Sequence, residues 1–274
     1  VDLTIIISVC PRLYPLAGHW KLTWFRRDGG VLNYSTVTIC NMTIAGPAEV
    51  ALKSLRPEQL RFIQTLPKAE LHAHLNGCIP IAVLQDLARG YTVSETPGSL
   101  SAEQIQTGLA KLLDGPSLNK ISDFFNLFPA IYALIATSAS LARVTSAVLS
   151  LFLDGEHPQC QYLELRTTPK ETNEMTREKY LRVVLRELAR YGKEKAGLIV
   201  SLDRTMGEEV MQECIEIAKK LKAEGEHVVG VDLCGDPMAG NVEVFRKYFE
   251  DARAVGLGVT LHVAEVCFFS DPRP

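Results

Sequence analysis

From Ser54 onward the chain alternates short apolar runs with longer stretches of helical periodicity. Five runs read as buried strands: AELHAHL (69–75), QYLELRT (161–167), GLIVSLD (197–203), VVGVDLCG (228–235) and GVTLHVAE (258–265). Most are followed by turn or loop residues, as buried strands are. Amphipathic helices separate the later runs. In residues 176–194, Tyr180, Val184, Leu188 and Tyr191 recur at helical spacing behind Thr176, a fitting N-cap. Residues 208–225 and 241–256 repeat the pattern, and each ends at Gly. The long interval between the first two strands is mainly helical. There Ser101 and Gln104 make a capping-box signature, and residues 123–135 and 141–153 supply apolar faces. Pro57 falls near the first turn of a helix over 54–66, where a missing N–H costs nothing. Residues 1–53 mix β-branched patches with Trp20, Trp24 and a basic FRRDGG, and no period persists.

Strand–helix–strand alternation with buried strands specifies a parallel sheet. It is either doubly wound and open or a (β/α)8 barrel. No G-x-G-x-x-G follows the first strand. Polar residues instead cluster at the C-terminal strand ends: His72, His74 and Asn76; Arg166, Thr167 and Thr168; Asp203; Asp232, Gly235 and Asp236; His262 and Glu265. In a barrel those ends converge on one mouth, so an α/β barrel is the expected fold.

Composition narrows the function classes. A net charge of −3 argues against a nucleic-acid or anionic-membrane surface, since neither is held without a basic excess. No apolar run approaches the roughly 18 residues of a membrane span. The seven cysteines are scattered and never form C-x-x-C, which points to a reducing, cytoplasmic setting without a thiolate metal site.

The strand ends carry the chemistry. Residues i and i+2 of a strand share a face, so His72 and His74 point the same way and Asn76 extends the row into the next turn. For H-x-H alone, two core histidines satisfied by hydrogen bonds explain the pattern as well as a metal site does. His262, again at the end of an apolar strand, returns to the same mouth and favours a metal. Three neutral imidazoles suit zinc better than magnesium or calcium, which prefer oxygen. Glu265 would face away from His262 in a straight strand and joins the site only if the chain has already turned. A carboxylate beside the metal, not on it, is suited to moving protons. Asp232 and Asp236 read as structural residues of the barrel mouth and are left out of the site.

LPKAELHAHLNG, QYLELRTTPK, VSLDR, VVGVDLCGDP and LHVAEV resemble, in order, the motifs of the adenosine/AMP deaminase family, within its adenosine deaminase-like (N6-methyl-AMP deaminase-like) branch. The resemblance runs from about residue 56 to 266, and the H-x-E and P-C-x-x-C pattern of the other zinc deaminase class is absent. It implies a (β/α)8 TIM barrel with one Zn2+ and hydrolytic loss of a purine 6-amino or 6-methylamino group. His72, His74 and His262 would be zinc ligands. Glu265 would donate a proton to the purine ring nitrogen as hydroxide adds to the adjacent carbon. His74, Asn76, Tyr132, Asp203 and the Gly235 backbone would line the nucleotide site. Thr167, Thr168, Pro169 and Lys170 match the segment that takes the 5′-monophosphate. Such hydroxyls, N–H groups and a cation at a strand-to-helix turn make a phosphate cradle. Two positions depart from the pattern: Lys170 stands where the branch more often shows Arg, and Tyr132 where related sequences often have His.

The family pattern continues past Glu265 with a further His and an Asp pair that this sequence does not show. Only five of the eight strands are present, and residue 1 is Val. The expectation is therefore an incomplete barrel domain over 54–266, an unassigned extension over 1–53 and a non-family tail over 267–274. The complete protein is expected to be a monomer that binds a purine nucleotide, and this chain alone to be catalytically incomplete. A nucleoside deaminase or other amidohydrolase on the same barrel stays open, as does a non-catalytic truncated isoform acting as a binding protein.

Overall fold

The computed structural model describes residues 46–92, 101–115, 126–156, 158–236 and 239–263. Residues 46–66 fall in one compact unit and those from Pro67 onward in another. The first contributes α1 (Gly46–Ser54) and α2 (Pro57–Thr65). Helix α1 forms where the sequence shows no persistent period, on the strength of helix formers such as Ala, Glu, Leu and Lys. Helix α2 starts at Pro57, later than the helix expected over 54–66 because Ser54 ends α1, and the Gln59 side chain accepts the Arg56 backbone N–H at 3.0 Å.

The second unit runs β1 (Ala69–His74), α3 (Leu75–Cys78), α4 (Ile81–Arg89), α5 (Ala102–Asp114), α6 (Phe128–Leu134), α7 (Ser138–Leu153) and β2 (Tyr162–Thr167). It continues with α8 (Arg177–Leu188), β3 (Ala196–Asp203), α9 (Glu208–Ala223), β4 (Val228–Cys234), α10 (Val242–Ala254) and β5 (Gly258–Leu261). All neighbouring strands pair in parallel, in the order β1-β2-β3-β4-β5. A doubly wound sheet would reverse direction at a switch point, and this one does not. The sheet is also curled. Four strand spacings of about 4.8 Å would hold the edges of a flat sheet roughly 19 Å apart. Yet ring nitrogens of His72 on β1 and His262 just after β5 lie 2.7 Å apart. The result is a half-barrel of five strands, part of a TIM-type barrel.

The two-residue period of the strands separates its faces. Leu163, Leu165, Leu198, Val200, Leu202, Val231 and Leu233 are buried on the outer face. Helix α7 packs there on β2, α8 on β3, α9 on β3 and β4, and α10 on β4 and β5. The inner face is polar instead. Ser201, Asp232 and Thr260 stand in register across β3, β4 and β5, and Arg166 of β2 reaches into the same layer.

Helix ends follow local chemistry closely. Thr176 caps α8 by accepting the Lys179 N–H at 3.2 Å. Ser101 caps α5 through the Gln104 N–H at 3.5 Å without the reciprocal bond, so half of the expected capping box forms. A full box forms at α7 between Thr137 and Ser140. Tyr191 lies past the end of α8, where its hydroxyl donates to Asp154 Oδ2 at 3.0 Å. Strand β5 stops at Leu261, earlier than the sequence pattern implies, although the His262 N–H still donates to the Leu233 carbonyl at 2.9 Å. Among the described residues no single helix is long and apolar enough to cross a membrane. The pair α6–α7 is long and apolar enough only when taken together and is bent by 113°, and its Ile131, Leu134, Leu141, Val144 and Val148 are buried in the core.

Candidate active site

Strand β1 delivers His72 and His74 to the inner face, and the chain leaving β5 delivers His262 opposite them. The three Nε2 atoms converge: 2.7 Å between His72 and His262, 3.0 Å between His74 and His262, and 3.3 Å between His74 and His72. Three nitrogens each about 2.0–2.1 Å from one ion, at angles of 90–110°, would stand about 2.9–3.4 Å apart. The observed triangle is close to that. These are also the residues that form a metal-capable group among those described.

The environment prepares them as neutral donors. Burial, aided by the Arg166 charge and by His262, lowers the His72 pKa to about 4. Burial is also the largest influence on His74, whose pKa falls to about 3 although the Asp232 carboxylate opposes the change. Both rings thus carry free lone pairs at neutral pH. For His262 the tautomer follows from its neighbours. Its Nδ1 faces two acceptors, Asp232 Oδ1 at 3.1 Å and the Leu233 carbonyl at 2.9 Å. Nδ1 therefore carries the proton, and Nε2 presents its lone pair to the other two rings. The donor set fits a borderline-soft divalent cation such as zinc.

Asp232 is the residue that sequence reasoning left out. It is fully buried on β4. Its Oδ1 accepts from Arg166 Nη1 at 3.0 Å and Thr260 Oγ1 at 2.8 Å, and its Oδ2 from Ser201 Oγ at 3.2 Å. Burial pushes its pKa up, but the His262 hydrogen bond and the Arg166 guanidinium outweigh that and hold it at about 2. Arg166 also donates to the Leu71 carbonyl, tying the layer back to β1. The signal was available: a carboxylate in the middle of the apolar run VVGVDLCG must be paired to be buried at all. Arg204 adds a second brace by donating to the His262 carbonyl at 2.8 Å.

The adenosine deaminase profile matches residues 67–269, which includes every strand described above. The chain belongs to the adenosine deaminase family. An adenosine deaminase-like protein of Drosophila pseudoobscura pseudoobscura is 33% identical over 211 residues, covering 75% of this chain and 59% of that protein. N6-Methyl-AMP deaminase of Mus musculus is 30% identical over 217 residues, covering 77% and 57%. Among solved structures, Arabidopsis ADAL complexed with IMP superposes with a TM-score of 0.61 at 30% identity, covering 76% of this chain and 61% of that one. The chain thus spans about three-fifths of the length of the relatives it matches.

The other residues expected at the site are placed as follows. Asn76, buried in the turn α3, sits beside the Tyr132 and Tyr180 hydroxyls, and its Oδ1 has no hydrogen-bond partner among the described residues. Thr168 is buried with its hydroxyl 3.6 Å from Cys234 Sγ, and Pro169 is buried beside it. Burial, together with the Asp232 charge, raises the Cys234 thiol to about 12, so it stays protonated. Lys170 is half-buried, with Nζ 4.9 Å from the Tyr132 ring centroid. Thr167 is engaged elsewhere, its hydroxyl 2.9 Å from that of Tyr180 on the outer side. Asp203 orders its own loop by accepting the Thr205 N–H at 2.8 Å and hydroxyl at 2.6 Å. Gly235 lies against it at φ +96°, and a Cβ there would meet Asp203 Oδ1 at 2.6 Å. Glu265 lies outside the described residues.

Proposed function

We propose that this chain carries the metal and nucleotide site of a zinc-dependent deaminase acting on 6-amino or 6-methylamino purine nucleotides. Water adds at the purine carbon, the 6-amine leaves as ammonia or methylamine, and a 6-oxo nucleotide such as IMP remains. His72, His74 and His262 would hold the zinc, which supplies Lewis-acid activation of the incoming water and of the purine. Asp232 fixes the His262 tautomer, and Arg166 fixes Asp232. Asn76 Oδ1 offers a buried acceptor for a hydroxyl or N–H of the nucleotide, with the Gly235 backbone and Asp203 nearby. Glu265 is proposed as the proton carrier to the ring nitrogen.

The observation that carries the nucleotide reading is Lys170. Among the described residues this half-buried ammonium makes no ion pair, and its Nζ stands over the Tyr132 ring. A half-buried cation without a carboxylate partner among the described residues, two residues after Thr168 in the chain, suits a phosphate. The names of the mouse and Arabidopsis relatives, N6-methyl-AMP deaminase and ADAL complexed with IMP, support the same class. Residues 1–274 alone are proposed to turn over slowly, since the described residues offer the metal three histidines and no carboxylate.

The test compares AMP, IMP, adenosine and inosine for binding to the zinc-loaded protein by calorimetry, with methylamine release from N6-methyl-AMP followed in parallel. Nucleotides are expected to bind at least about tenfold more tightly than nucleosides, as a charge-assisted phosphate contact implies, and Lys170→Ala to remove most of that preference. Equal binding of IMP and inosine would overturn the nucleotide reading and favour a nucleoside deaminase.

A further inference from the structure

We propose that Tyr132 is the positioning residue for Lys170, and that its ring face sets how strongly the site prefers a 5′-phosphate to a bare nucleoside. The proposal rests on the nucleotide reading above. Lys170 and Tyr132, far apart in the chain, meet in the fold. The Lys170 ammonium stands 4.9 Å from the Tyr132 ring centroid.

A lysine is a compact charge on a flexible four-carbon stem, without the preorganised fork of arginine. Something must hold it if it is to meet a phosphate in one place, and no carboxylate does so among the described residues. A cation over an aromatic face is attracted by the ring quadrupole, more strongly where water is partly excluded. Lys170 and Tyr132 are both half-buried.

The ring is itself held in place. Phe128, one helical turn earlier on α6, stacks against it with centroids 5.5 Å apart and planes at 28°. At its other end the hydroxyl lies beside Asn76. The segment that carries Lys170 is pinned to the same corner of the fold. Thr172 donates its hydroxyl to the Ala136 carbonyl at 2.9 Å, just beyond α6. The Thr172 N–H donates to the Met175 carbonyl at 2.8 Å, closing the loop on itself. Lysine and ring are thus anchored by separate contacts, and their approach is a property of two fixed segments. A tyrosine that aims a cation in this way leaves the ammonium its full charge for the phosphate, since the ring contributes no anionic partner.

The ring face, not the hydroxyl, carries this role, which separates Tyr132→Phe from Tyr132→Leu. The experiment measures two quantities on zinc-loaded protein. One is the ratio of the inosine Kd to the IMP Kd. The other is the Lys170 ε-methylene resonance in 13C-lysine-labelled protein, assigned by its loss in Lys170→Arg. An upfield ring-current shift of that resonance is expected in the wild type and in Tyr132→Phe, and its disappearance in Tyr132→Leu. The Kd ratio is expected to fall roughly three- to tenfold in Tyr132→Leu and to be kept in Tyr132→Phe. An unshifted wild-type resonance overturns the proposal whatever binds. A shifted resonance with a ratio that Tyr132→Leu leaves unchanged also overturns it, while the nucleotide reading stands. A wild-type ratio near one removes the nucleotide reading and the proposal together.

Discussion

Asp232→Asn is the substitution that probes the site most deeply without touching a metal-capable residue. Asparagine keeps the shape and can still accept from Thr260, but it removes the charge that Arg166 faces. Both partners are out of water, Arg166 at 3% and Asp232 at 0% exposure. Removing one side of such a pair leaves an uncompensated buried charge and costs about 3–5 kcal/mol. That is a large share of the roughly 5–15 kcal/mol that holds a domain folded. The same change weakens the bond that holds His262 Nδ1, and loss of a partner of that kind lowers metal affinity about 10–100-fold. Urea unfolding of the metal-free protein reads the first effect, and competition with a chromogenic chelator reads the second. Arg166→Met combined with Asp232→Leu should recover much of the stability, because no lone charge remains, but not the zinc affinity. A loss below about 1 kcal/mol, with zinc affinity unchanged within twofold, would refute the claim that Asp232 organises the site.

Two further predictions concern the same neighbourhood. Gly235→Ala places a Cβ at positive φ against Asp203 and should cost about 1–3 kcal/mol in urea unfolding; a change below about 0.5 kcal/mol would mean the loop gives way freely. The histidine pKa values of about 4 and 3 set a pH window. Because both lie below the unfolded value of about 6.5, the unfolded chain binds more protons in between. The stability of the metal-free protein should therefore be full above pH 6.5, decline as the pH falls from there, and level off below pH 3. Protonation of His72 and His74 should not compete with zinc until the pH approaches 4. Stability of the metal-free protein that falls no further below pH 5 would show that these two imidazoles are not held neutral by burial.

Much of this arrangement is visible in the sequence wherever strand geometry alone decides. His72 and His74 share a face because their spacing matches the strand period, and His262 ends another strand of the same parallel sheet. The sequential strand order is the one that right-handed strand–helix–strand crossovers build, the long first interval included. What pattern reading misses depends on pairing through space. Asp232 looks like an isolated mouth carboxylate until Arg166, Ser201, Thr260 and His262 surround it from four other positions in the chain. Thr167 and Thr168 look equivalent in TTPK, yet successive strand residues face opposite ways, so one meets Tyr180 outside and the other Cys234 inside. The departures at Lys170 and Tyr132 look independent until α6 brings the ring under the ammonium. Helix α1 is hidden for another reason: good helix formers without a sustained apolar stripe leave no period to read.

The central claim is that His72, His74 and His262 together hold one metal ion. Its most direct measurement is the zinc content of the purified protein by mass spectrometry after loading and exhaustive dialysis, beside His72→Ala and His262→Ala. The converging Nε2 atoms predict about one zinc per chain in the wild type and near none in either variant. Wild-type protein that is folded but free of zinc, or a His262→Ala variant that keeps its zinc, would contradict the claim.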